Sequence, residues 1–124
     1  MKLDLDCVRG VFESDPRVIL AVLFGSAVDG TVRAGSDVDI GVLLEPALSS
    51  LDFYAFYQDI ATRLSEIGEL DLVDLNHAGS VLAFEALCGR RLFVRDPEAV
   101  AAFSSLVARQ YEDDMQHARR YAAA

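Results

Sequence analysis

Between Gly25 and Asp39 the sequence runs GSAVDGTVRAGSDVD, a Gly-Ser pair followed, after ten residues, by Asp37-Val38-Asp39. Alternate residues of an extended chain point to the same side, so Asp37 and Asp39 share a face. About 5 Å apart at an effective dielectric near 20, two carboxylates repel by roughly 3 kcal/mol, a cost that a cation removes. Mg²⁺ is the simplest occupant, because it combines carboxylate oxygens with the oxygens of a triphosphate. Gly25 has no Cβ and lets the backbone approach a phosphate; its N–H, that of Ser26 and the Ser26 hydroxyl are donors suited to phosphate oxygens. Ser36, next to the carboxylates, is a further candidate, as a hydrogen-bond donor that orients one of them or as a plain turn residue.

These residues need strands to hold them, and the apolar patterning supplies them. Arg17–Phe24 reads as a buried strand that ends at the Gly-Ser pair, and Val38–Leu44 (VDIGVLL) as a second strand that the aspartates enter. A short helix over Leu3–Phe12 precedes them, closed by Ser14-Asp15-Pro16. Glu45-Pro46 breaks the second strand; Ser49 or Ser50 then caps a helix whose Phe53, Phe56, Tyr57, Ile60, Leu64 and Ile67 keep helical spacing until Gly68 stops it. That stripe reads as core. A strand over Glu69–Leu75, a helix over Ser80–Cys88 and a short segment Arg91–Val94 follow. Asp96-Pro97-Glu98 opens a last helix, with Val100, Phe103, Val107 and Tyr111 on one face and a polar end that frays toward Tyr121–Ala124. Strands alternating with helices imply an α/β (α+β) fold, a small mixed sheet backed by helices.

The 124 residues fit one domain spanning 1–124, with one core and no room for a separate acceptor-binding domain. No apolar stretch reaches the length of a membrane span, and the acidic start MKLDLDCVRG is unlike a signal peptide, so a cytoplasmic protein is expected. The net charge is −9, with a single lysine, which argues against a nucleic-acid partner and suits a basic protein partner. Cys7 and Cys88 lack ligand spacing and read as small buried residues; His77 and His117 read as surface or capping residues.

The spacing GSx(10)DxD resembles the signature of the DNA polymerase beta-like nucleotidyltransferases. In so short a chain the resemblance is to the minimal nucleotidyltransferase (MNT) family, many of whose members are antitoxins paired with HEPN-domain toxins. The resemblance implies the nucleotidyltransferase palm fold and a third carboxylate on a neighbouring strand about thirty residues on. Asp71, which opens the DLVDL stretch, matches that pattern, and Asp74, three residues later and on the opposite face, is the fallback. The implied metal and catalytic set is Asp37, Asp39 and Asp71, with Gly25, Ser26 and Ser36 as nucleotide-binding residues, Mg²⁺ as cofactor and ATP as substrate. Asp74 otherwise reads as a cap for the segment beginning near Asn76.

The resemblance leaves two functions open. One is an enzyme that transfers AMP to a tyrosine hydroxyl of a cognate HEPN ribonuclease toxin. The other is a catalytically degenerate antitoxin that neutralises the toxin by binding alone. Many family members read GSxARG, where an arginine meets phosphate; here the stretch is Gly25-Ser26-Ala27-Val28-Asp29-Gly30, and Arg33 is the nearest cation. An inward-pointing Asp29 would repel a triphosphate.

Overall fold

A computed structural model describes residues 1–123. In chain order the elements are α1 (Leu5–Glu13), β1 (Val18–Phe24), β2 (Val38–Leu44), α2 (Ser50–Arg63), β3 (Leu70–Asp74), α3 (Ser80–Leu87), β4 (Arg90–Val94) and α4 (Pro97–Ala123). Short 3₁₀ turns at Gly25–Ala27 and Ser65–Ile67 follow β1 and α2. The four strands form one sheet in the order β3-β2-β1-β4. β1 runs antiparallel to both β2 and β4, whereas β2 and β3 are parallel, joined by the crossover through α2.

Each face of the sheet has its own core. β1 is buried along its whole length, which explains why it lacks alternation: both of its faces are covered. On one face Leu23, Val38, Ile40 and Val42 pack with Phe12 of α1 and Phe56 and Ile60 of α2. On the other, Leu20, Val22 and Phe24 pack with Ala83 and Ala86 of α3 and Val100 and Val107 of α4. Among the described residues no helix is long and apolar enough to cross a membrane.

The helix ends follow their capping chemistry. Asp4 Oδ1 accepts the Cys7 N–H, so α1 starts at Leu5 rather than at Leu3. Leu3 is instead drawn into extended pairing, its N–H donating to the Gly30 carbonyl beside the Lys2–Thr31 bridge. Ser49 Oγ accepts the Asp52 N–H and opens α2. Gly68, at φ 99°, ends the following 3₁₀ turn, so the regular helix stops at Arg63, short of the glycine. Asp96 Oδ1 accepts the Ala99 N–H at the start of α4. The final helix extends through Ala123; Ala124, the last residue of the end expected to fray, lies outside the described residues.

The cysteines differ from expectation. Both thiols are free, but both are exposed. In α1 the buried positions are Val8, Val11 and Phe12, and Cys7 lies off that stripe; Cys88 caps the exposed end of α3.

Candidate active site

The parallel register of β2 and β3 sets Asp39 directly beside Asp71 and Val38 beside Leu70. The alternation that buries Val38, Ile40 and Leu72 against α1 and α2 turns Asp39 and Asp71 to the opposite face, toward α3. There Asp39 is half-buried and Asp71 exposed, and the two carboxyls lie within hydrogen-bonding reach. Asp37, exposed just before β2, adds its field to theirs. Burial, then the charge of Asp71 and a hydrogen bond with it, and more weakly Asp37 and Glu85, push the Asp39 carboxyl above the ordinary carboxylate range.

Gly25 stands against this group. Its φ of 73° is in the left-handed region, and a Cβ there would collide with Asp39 Oδ2. The glycine is therefore required twice, by backbone conformation and by the carboxylate next to it. Ser26 is exposed in the 3₁₀ turn that follows. Ser36 lies further along the loop, its N–H donating to the Arg33 carbonyl at 3.1 Å. With Asp37, Ser36 lines an open cleft of about 750 Å³ whose wall also carries Arg33, Glu66 and Glu69. Asp39 and Asp71 lie outside that lining, on the sheet face.

The donor set is one of hard oxygens, with no cation among the groups that set the Asp39 carboxyl's protonation, and in that respect it fits Mg²⁺. Among the described residues, however, no three carboxylate, imidazole or thiol groups are closed into a metal cage. Asp39 and Asp71 could serve as two ligands, with Asp37 and phosphate oxygens as the groups that could complete a coordination shell.

Asp74 takes no part in this cluster. Its Oδ1 accepts the Asn76 N–H at 3.0 Å and its Oδ2 lies 2.7 Å from Nδ1 of His77, so it closes the turn after β3. His77 is exposed and occupied by that pairing, and exposed His117 packs edge-on against Tyr121.

Asp29 does not face a triphosphate unopposed. Arg33 Nη2 pairs with its Oδ2 at 2.8 Å, Thr31 N–H donates to its Oδ1, and the Arg33 hydrogen bond holds its carboxyl below the usual range. Arg33 Nη1 also donates to the Ser26 carbonyl at 2.6 Å, so one guanidinium ties both ends of the loop together. Sequence reasoning named Arg33 as a nearby cation without this role. It missed Glu85 altogether, the only acid in the apolar stretch SVLAFEAL of α3, whose charge reaches Asp39. Its isolation in that helix was the available signal.

A family model described as polymerase beta, nucleotidyltransferase matches residues 8–98. The protein adenylyltransferase MntA of Shewanella oneidensis is 35% identical over 79 residues, which cover 63% of this chain and 55% of that protein. The chain thus spans about half the length of this curated relative. A chain in a crystal structure of a toxin-antitoxin with AMP-PNP superposes with a TM-score of 0.78 at 25% identity, covering 98% of this chain and 96% of the other. A chain in a structure of a tri-AMPylated Shewanella oneidensis HEPN toxin in complex with MNT antitoxin shares the fold, with a TM-score of 0.71 at 22% identity, over 96% of this chain and 92% of its own.

Proposed function

This chain belongs to the polymerase beta nucleotidyltransferase family, and from that premise we propose that it is a Mg²⁺-dependent adenylyltransferase that transfers AMP from ATP to a tyrosine hydroxyl of a cognate HEPN toxin. The observation that carries this reading is the register that puts Asp39 beside Asp71, with the Gly25 backbone packed against Asp39. The name of the relative from Shewanella oneidensis and the AMP-PNP and tri-AMPylated toxin in the related structures support it.

Asp37, Asp39 and Asp71 would hold Mg²⁺, which supplies charge neutralisation on the triphosphate and on the departing pyrophosphate. Gly25 and Ser26 offer backbone N–H groups, and Ser26 its hydroxyl, to the β- and γ-phosphate oxygens. Arg33 contributes by holding the Ser26 carbonyl and screening Asp29, which keeps negative charge away from the incoming nucleotide. Asp71, which is exposed, would take the proton from the acceptor hydroxyl. The hydroxyl oxygen then attacks the α-phosphorus in line, and the bond from that phosphorus to the bridging α,β-oxygen breaks. The products are an AMP-tyrosine phosphodiester and pyrophosphate. On the toxin, the added charge and bulk would repel and occlude RNA phosphate. The net charge of −9 suits a basic partner surface.

The test is incubation of the purified chain with its cognate HEPN protein, ATP and Mg²⁺, followed by intact-mass measurement of the partner. Mass increments of one AMP are expected, and Asp37→Ala with Asp39→Ala should abolish both the increments and protection from the toxin. An unchanged mass in a tight complex, with protection kept by the double variant, would instead establish neutralisation by binding alone.

A further inference from the structure

Asp71 sits on a border of the sheet, because among the described residues β3 has β2 on one side and no strand on the other. An edge strand carries a row of unpaired N–H and C=O groups, and its register is held from one side only. On β3 that open side receives its side-chain hydrogen bonds, among the described residues, from Tyr57. Tyr57 Oη donates to the Leu70 carbonyl at 2.7 Å and accepts the Leu72 N–H at 3.1 Å. These are the peptide groups on either side of Asp71. The inner side of the strand bonds to β2, the Val38 N–H donating to the Glu69 carbonyl at 2.8 Å.

Tyr57 is itself held by packing. Phe56 and Ile60 bury α2 against the sheet, Tyr57 is half-buried beside them, and Phe53 meets its ring edge-on with centroids 6.3 Å apart. A phenol hydroxyl has one donor and can also accept, which matches one carbonyl and one N–H.

We propose that Tyr57 is a positioning residue for the third carboxylate: its hydroxyl stands in for a missing strand and fixes the peptide groups flanking Asp71, and so the place where Asp71 meets Asp39. This rests on the assignment of Asp71 to the metal and proton-transfer set made above. The far end of the strand has a separate fastening, the Asn76 carboxamide, which exchanges two hydrogen bonds of 2.9 Å with the Leu44 backbone. That clamp serves as the control, since it secures β3 without touching the flanks of Asp71.

The experiment measures Mn²⁺ affinity by calorimetry in the presence of α,β-methylene-ATP for wild type, Y57F, D71N, the Y57F/D71N pair and N76A. Amide exchange at Leu72 and steady-state AMP transfer accompany it. Y57F should speed Leu72 exchange, weaken Mn²⁺ binding about 10-fold and lower kcat by a similar factor, with KM for ATP within about 2-fold. D71N should weaken Mn²⁺ binding as well, and Y57F should add nothing to it, because the position of Asp71 then no longer matters. N76A should lower the melting temperature and leave Mn²⁺ affinity unchanged. Faster Leu72 exchange in Y57F with wild-type Mn²⁺ affinity, or full additivity of Y57F with D71N, overturns the inference. Unchanged Mn²⁺ affinity in D71N itself overturns the three-carboxylate assignment, and the role of Tyr57 with it.

Discussion

Replacing Asp39 by asparagine should separate folding from chemistry, because the carboxylate that the proposed reaction needs is a burden on the metal-free fold. Asp39 and Asp71 are direct neighbours on paired strands, and strands lie about 4.8 Å apart. At an effective dielectric near 20 that spacing corresponds to a repulsion of about 3.5 kcal/mol. Asp71 is exposed and Asp39 only half-buried, so solvent screening reduces the usable effect to about 1–2 kcal/mol. In a chain of this size D39N should therefore raise the melting temperature by roughly 4–8 °C. The pH dependence has a definite sign. Burial, then Asp71, raises the folded pKa of Asp39 above its ordinary value of 3.8. The native state binds that proton more tightly than the unfolded chain, so the wild type loses stability as pH rises from the unfolded value through the folded one. The advantage of D39N is complete above the folded pKa and disappears as pH falls to the unfolded value. Urea denaturation in EDTA at about pH 8 and again at about pH 4, with AMP transfer measured on the same preparations, reads all of this. With Mg²⁺ and an ATP analogue present, the wild type should gain stability and D39N should not. Loss of stability in D39N at the higher pH, or a gain of the same size at both, would refute the reasoning.

Other substitutions test the loop and its supports. G25A places an L side chain in the left-handed region at a cost of about 1–2 kcal/mol and displaces the Asp39 carboxylate; urea denaturation should show a folded protein, and the mass assay should show most transfer lost. R33A releases both Asp29 and the Ser26 carbonyl; the melting temperature should stay nearly constant, while KM for ATP rises about 5-fold with kcat within about 2-fold. G89A drives a Cβ into the Leu23 carbonyl and to 2.8 Å from the Phe24 Cβ; a stability loss of roughly 1–3 kcal/mol is expected by denaturation, with transfer per folded molecule preserved.

Local chemistry was legible in the sequence where one interaction decides the outcome. β2 begins and ends where the run VDIGVLL does, and α4 opens at Asp96-Pro97 because a cap and a proline leave few alternatives. The GSx(10)DxD spacing pointed to the loop and the first two aspartates; the register sets Asp39 beside Asp71, while Asp74 closes the turn after β3. Features made by two distant segments were not legible. Exposure of Cys7 and Cys88 depends on which helix face meets the sheet, which composition does not specify. The double contact of Tyr57 with Leu70 and Leu72 spans an α-helix and an edge strand, so within the helix its tyrosine reads only as another core position. The pairing of Arg33 with Asp29 and Ser26 depends on the path of the loop, so charge counting alone saw an acid in the wrong place.

The opposite border of the sheet has a different character. β4 carries exposed Arg90 and Arg91, and Arg95 just beyond it grips the backbone, its guanidinium donating to the carbonyls of Val18, Glu13 and Asp15. A second molecule attempting to extend the sheet there would bring guanidinium against guanidinium, so self-association along that rim is opposed by like charge in a protein that is otherwise strongly anionic. Colloidal behaviour should accordingly worsen when exposed Arg91 is exchanged for a β-branched apolar residue.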